Sequence, residues 1–270
     1  MRRSIALTLA TAILIGLGTT ACSDGATAPP TDRANDDFEA MMLETVGIAE
    51  DQANGSSVVP ASPLLPVSLW LAAAHGSCTF SSSTGRITCP DVTREGVTIS
   101  RSFALFDAAG RAQEKRDSST VKINTQVWAR GTVEKESAKV TIDRKSDLTA
   151  TGVQRGSPSR TLNGTEQGSS AMEHRTSRGT VKSTVVFGDT TINLVVPSLD
   201  SPRTWPLSGT VIRAHSGTRT IDGHSGSTSF NYRAVFVYDG TSTVKITITA
   251  NGQTKSCLRN LETRTQTCSP

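Results

Sequence analysis

Apolar and polar residues alternate through most of this chain. From about Ser77 onward the period is two. `GVTISRSFALF` puts Val97, Ile99, Phe103 and Leu105 on one side, and `TVKINTQVW` does the same with Val121, Ile123 and Val127. `TINLVV`, `FNYRAVFVY` and `TVKITITA` continue the pattern, the last with Val244, Ile246 and Ile248 against polar partners. Alternation enriched in Thr, Val and Ile is the signature of strands buried on one face. No helical stripe follows residue 76, and strands joined by short turns without crossover helices imply antiparallel pairing. The expectation is an all-β chain, an antiparallel meander forming a single β-sandwich or barrel-like domain over residues 66–270.

Turn chemistry sharpens the C-terminal part. Asp239-Gly240 and Asn251-Gly252 are strong hairpin signals. At the first, a three-residue loop with a glycine bulge pairs Tyr238 with Ser242. Phe236 then faces Val244, Ala234 faces Ile246 and Tyr232 faces Ile248, which keeps apolar residues together. A two-residue loop would set them against polar ones.

The N-terminal part differs. Arg2 and Arg3 precede an uncharged run from Ile5 to Gly18, too short for a bilayer span of about 20 residues and followed by small residues. With Ala21 directly before Cys22, residues 1–21 resemble the signal peptide and lipobox of bacterial lipoprotein precursors. Thr19 stands where that pattern usually has leucine, and a conventional peptidase cutting after Ala21 is the alternative. The resemblance implies that Cys22 carries the lipid and that the chain is anchored in the cell envelope. Ser23 after the cysteine points to the outer membrane under the sorting habits of that family. Beyond about residue 22 the resemblance says nothing about the body.

Residues 22–65 read as an acidic tether and linker. Within it, `NDDFEAMMLETVG` has the caps and the stripe (Phe38, Met41, Met42, Val46) of a short helix over 36–46. Residues 22–60 carry eight acids and one base, a net −7, whereas 61–270 carry 25 bases and 16 acids, a net +9. An acidic tether leading to a basic body suits anionic envelope polymers or another envelope protein as partners. The charge pattern alone favours the plainer reading, a solvated strand surface with Lys and Arg at outward positions, since no block of five or six like charges occurs.

Candidate chemistry is sparse. Cys78 and Cys89, and likewise Cys257 and Cys268, are each separated by ten residues. In an exported chain four cysteines read as two disulfides, with local pairing preferred because each segment can fold back on itself. Zinc is the competing reading, but no Cys-x-x-Cys pair is present. `STVK` occurs at Ser119–Lys122 and Ser242–Lys245 and resembles the Ser-x-x-Lys pattern of penicillin-recognising acyl enzymes. In a strand, positions i and i+3 face opposite ways, so neither copy forms that dyad. His215, Asp222 and His224 flank a turn-like `SGTRTIDG` and could converge on a metal or serve a hydrolase. His75 and His174 are isolated. No cofactor motif appears, and with three Trp, two Tyr and seven Phe the chain is poor in the stacking platforms that carbohydrate and single-stranded nucleic-acid binders use, which weakens both readings. A non-enzymatic, lipid-anchored β domain is therefore expected. The alternatives are an apolar-ligand carrier with a barrel cavity, or a hydrolase or metal enzyme using the His215–His224 region.

Overall fold

The computed structural model describes residues 78–269, apart from 95, 137, 177–178, 199–200, 204 and 223–225. The signal segment, Cys22, the tether and the expected helix over 36–46 lie outside the described residues. So does His224.

The described residues are all-β, without a helix, and one antiparallel sheet of thirteen strands accounts for them. In chain order these are β1 (Thr79–Ser81), β2 (Arg86–Arg94), β3 (Val97–Phe106), β4 (Ala112–Gln113), β5 (Lys122–Lys135), β6 (Ala138–Thr151) and β7 (Ser159–Thr176). They continue as β8 (Gly179–Pro197), β9 (Ser208–Ile221), β10 (Ser227–Tyr238), β11 (Thr243–Ala250), β12 (Gln253–Asn260) and β13 (Gln266–Cys268). Each strand pairs with its sequence neighbour, except that β4 branches off β3 and β5 takes its place in the row. This is the meander that the alternation and the short turns imply.

The alternation survives in the burial. In β11, Val244, Ile246, Ile248 and Ala250 are buried while Lys245, Thr247 and Thr249 are exposed. Phe103, Phe236 and Ile246 are each 1% exposed. A flat sheet with one layer cannot bury a side chain that deeply, and among the described residues no helix covers the face. The sheet's right-handed twist supplies the cover: it coils so that the apolar face of β3 to β7 and that of β8 to β12 form one cluster. Leu105, Ile123, Leu162, Leu194 and Phe236 mark its packed end.

β1 and β13 are the two edges of the row, and each is three residues long. Cys78 bonds to Cys89 on β2, and Cys257 on β12 bonds to Cys268 on β13. Both pairings are the local ones expected, and each fastens an edge strand to its neighbour. Pro90 lies in β2 beside a bulge between Cys89 and Val92, which denies a regular ladder to any added strand.

The two hairpin signals have different outcomes. Asn251 and Gly252 (φ 49° and 82°) form the two-residue turn between Ala250 and Gln253. The register at Asp239-Gly240 is a correction: Phe236 pairs with Ile246, Ala234 with Ile248 and Tyr232 with Ala250. That is two residues away from the three-residue loop, so the faces are preserved while the partners change. Asp239 Oδ1 accepts from the Thr241 amide and hydroxyl, Leu261 N donates to Ser242 O, and Trp205 Nε1 donates to Gly240 O. These bonds hold a wider loop open.

Each disulfide closes a loop of about a dozen residues, worth ~3 kcal/mol in the chain-entropy account. Reduction is expected to lower the melting temperature while leaving the β-sheet circular dichroism of the folded state intact. Loss of the sheet signal at room temperature on reduction would show that the staples hold more than the edges.

Candidate functional site

Strand parity places an unusual set of side chains on the inward face. In β9, Arg213 and His215 share the parity of buried Val211, so they turn into the sheet's interior. Asp189 on β8 lies opposite Arg213 and, on its other side, opposite Glu166 of β7. His215 lies opposite Phe187 of β8 and Tyr232 of β10. Arg144 of β6 lies opposite Gly168 and reaches diagonally to Glu166. Five adjacent strands thus contribute Arg144, Glu166, Asp189, Arg213, His215 and Tyr232 to one transverse seam.

Its internal bonding is dense. Arg144 pairs with Glu166. Arg213 Nε is 4.0 Å from Asp189 Oδ2, and the Arg213 side chain is 1% exposed. His215 Nε2 is 3.2 Å from Asp189 Oδ1, while the Tyr232 hydroxyl is 2.9 Å from His215 Nδ1. Tyr232 also stacks on the imidazole at 5.0 Å between centroids. Gly168 is required here: a Cβ would lie 2.3 Å from Asp143 O and 2.8 Å from the Phe187 ring, which leans over the glycine.

This arrangement limits the chemistry. Nε2–H of His215 can donate to Asp189 while Nδ1 accepts from Tyr232, which occupies both nitrogens with fixed partners. An imidazole held this way has no lone pair to offer a metal or a nucleophile without breaking one of those bonds. Burial pushes the Glu166 carboxyl above its ordinary range, and the Arg144 guanidinium only partly offsets that cost.

The residues singled out from sequence are dispersed. Asp222 is exposed, and seven residues of extended chain separate it from His215, ~23 Å along the strand. The structure does not bring His215 and Asp222 together. His174 is half-buried opposite Ala138 and Val181. Among the described residues no group of three or more His, Cys, Asp or Glu is arranged to hold a metal ion. Of the two Ser-x-x-Lys copies, Ser119 bonds to Asp117 and Gln113 while Lys122 lies over the Phe106 ring. The Lys245 ammonium pairs with Asp239.

Sequence reasoning passed over Arg144, Glu166, Asp189 and Tyr232. A signal existed for three of them: Arg144 and Asp189 break, and Tyr232 joins, the apolar parity of their own strands, as Arg213 breaks it in `TVIRAHS`.

The outward face is polar and carries a groove of about 480 Å³ lined by Ser100, Ser102, Gln126, Trp128, Lys145 and Asp147. Trp128 Nε1 donates to Asp143 at 2.7 Å. Arg130 and Lys145 lie 4.1 Å and 4.7 Å from the centre of its ring. Asp147 accepts from both Asn124 and Gln126.

No family model, curated protein or solved structure matches the chain.

The raised carboxyl of Glu166 has a signed consequence. A folded-state value above the unfolded one gives a stability contribution that is complete below the unfolded value, near 4.5, and is lost as pH rises through the folded value. The unfolding free energy of wild type minus that of Glu166→Gln is therefore expected to fall as pH rises from about 4.5. A difference that grows with pH would show that Arg144 outweighs burial.

Proposed function

We propose that this chain is a lipid-anchored protein of a bacterial cell envelope whose β domain is a non-catalytic binding or structural module. Cys22 is the attachment point, the acidic segment is the tether, and Ser23 favours the outer membrane. The observation that carries the reading is the interior seam: its ionisable side chains are paired with one another, Glu166 and Arg213 buried and Arg144, Asp189 and His215 half-buried, so they serve the fold. The two disulfides add support, since such bonds persist in oxidising compartments outside the cytosol.

Both alternatives draw less support. An apolar-ligand carrier needs a void lined by strand residues. Here Arg213, Phe236 and Ile246 fill the interior to about 1% exposure. A hydrolase or metal enzyme needs a free imidazole beside other chemistry, whereas His215 is tied to Asp189 and Tyr232. Binding would then fall to the outer surface, where the body's excess of +9 resides. An anionic envelope polymer or another envelope protein fits that surface.

The anchor is tested by replacing Cys22 with Ser in the source organism or a suitable bacterial host. Wild-type chain should partition with membranes and show acyl mass on its N-terminal peptide, and the variant should be released to the soluble fraction. Wild-type protein that is soluble and free of acyl mass would refute the anchor.

A further inference from the structure

The interior seam pairs its charges internally, Arg144 with Glu166 and both Arg213 and His215 with Asp189, and the lining of the Trp128 groove sets Arg101 and Lys145 against Asp91 and Asp147. One other recess is not balanced. A cleft of about 700 Å³ opens between the β4–β5 connection, the β6–β7 loop and the start of β7. It is lined by Arg116, Arg155 and Arg160 together with Ser118, Gln154 and Ser157.

The local chain explains why the arginines share this space. The Ser157 amide donates to Gln154 O, and Gly156 at φ 82° closes that turn with a conformation that side-chain-bearing residues rarely take. The turn puts Arg155 on the rim. Arg160 stands at the beginning of β7, half-buried. Arg116 Nη2 donates to Val153 O at 2.8 Å, which braces one wall against the other. Gly152 N donates to Val121 O, fastening the same loop to the β4–β5 connection.

Among the described residues none of these three guanidinium groups has a carboxylate partner, although seven other ion pairs are formed. The acid on the lining is Asp117. Its Oδ1 already accepts from the Ser119 amide, the Ser119 hydroxyl and Gln113 Nε2. Those bonds hold its carboxyl below the ordinary range, so it stays ionised and offsets one of the three positive charges, leaving the recess with a net positive charge. Three like charges gathered in one recess repel one another, and an oxyanion between them would relieve that repulsion. Guanidinium is also the group whose planar fork matches phosphate and carboxylate oxygens two at a time.

We infer that this cleft is an anion-binding site for a phosphate group carried on a saccharide. Ser118, Ser198 and Gln154 offer hydroxyl and amide partners to a polyhydroxylated ligand, and Ser157 Oγ, whose proton goes to Ser159 O, can accept from one. Val153 and Pro158 are the apolar side chains on the lining, and neither forms a flange that could enter a bilayer. That favours a hydrophilic envelope glycan over a membrane surface. The proposal rests on the reading of the body as a binding module, although not on the lipid anchor.

The test is calorimetric titration of the full chain, held in non-ionic detergent, with glucose 6-phosphate, inorganic phosphate and glucose. Glucose 6-phosphate should bind saturably, phosphate more weakly, and glucose not at all. Arg155→Gln and Arg160→Gln should each weaken phosphosugar binding about tenfold or more, the loss expected for a charge-assisted pair. Arg175→Gln and Arg219→Gln remove the same charge from exposed strand positions and should leave affinity within about twofold, since they lack a shared recess. Arg155 lies in an exposed loop, so its variant remains informative if Arg160→Gln fails to fold. Absence of saturable phosphosugar binding, or equal losses in the control variants, would overturn the site. Binding to phosphatidylglycerol vesicles that is lost in Arg155→Gln and Arg160→Gln, without saturable phosphosugar binding, would overturn it in favour of a membrane. Acyl mass and fractionation report on the anchor separately, so either proposal can fail alone.

Discussion

A sheet with no second layer has to hide its own apolar face. That constraint governs the rest of this molecule. Among the described residues there is neither a packed helix nor a second sheet, yet Phe103, Phe236 and Ile246 are almost fully buried. Coiling accomplishes it, and coiling demands long, twisted strands with glycine where side chains would collide. β7 and β8, 18 and 19 residues long, run well beyond the packed end and link the sheet's two halves. The edges follow from the same constraint. An open row leaves two unpaired ladders, and here both are short and fastened by a disulfide.

Coiling also forces a choice about what fills the middle. At the packed end the inward positions are Leu, Ile, Val and Phe. One step along the strands they become Arg144, Glu166, Asp189, Arg213 and His215. Buried ion pairs seldom add net stability over apolar replacements, but removing one member leaves its partner uncompensated. The seam therefore acts as a registration device: Glu166, Asp189 and Arg213 stand on successive strands in direct opposition. A slip of any one strand by one residue would turn its charge outward and strand its neighbours inside. Apolar side chains alone would tolerate a slip by two residues, whereas this seam would not.

How much could be read in advance follows from the range of each signal. Alternation is local, so the strands and the inward parity of Val244, Ile246 and Ile248 were visible in the sequence. So were the cysteine pairs and the Asn251-Gly252 turn, because backbone conformation at two residues decides that hairpin. The Asp239 loop was misread by two residues because Trp205 and Leu261, distant in sequence, hold it open. Its parity was still right, since the apolar side chains fix the face but not the step. The seam was harder: Glu166 in `NGTEQG` has no apolar neighbours to announce it, and its partners come from other strands. His215 was singled out for proximity to Asp222 along the chain, but extended backbone carries those two residues apart. The arginine cleft joins residues 116 and 160 through a fold that no local pattern encodes.

The claim that the interior charges compensate one another is tested most directly by a double-mutant cycle on Asp189 and Arg213, measured as unfolding free energies in denaturant. Asp189→Leu alone, which takes this carboxylate away from the buried Arg213, should cost about 3–5 kcal/mol, the usual penalty for breaking a buried pair. Adding Arg213→Met should recover much of that loss, making the double variant more stable than the sum of the two single changes by at least ~1 kcal/mol. Strict additivity, or a loss below ~1 kcal/mol for Asp189→Leu, would contradict the account and show that these charges are solvated independently.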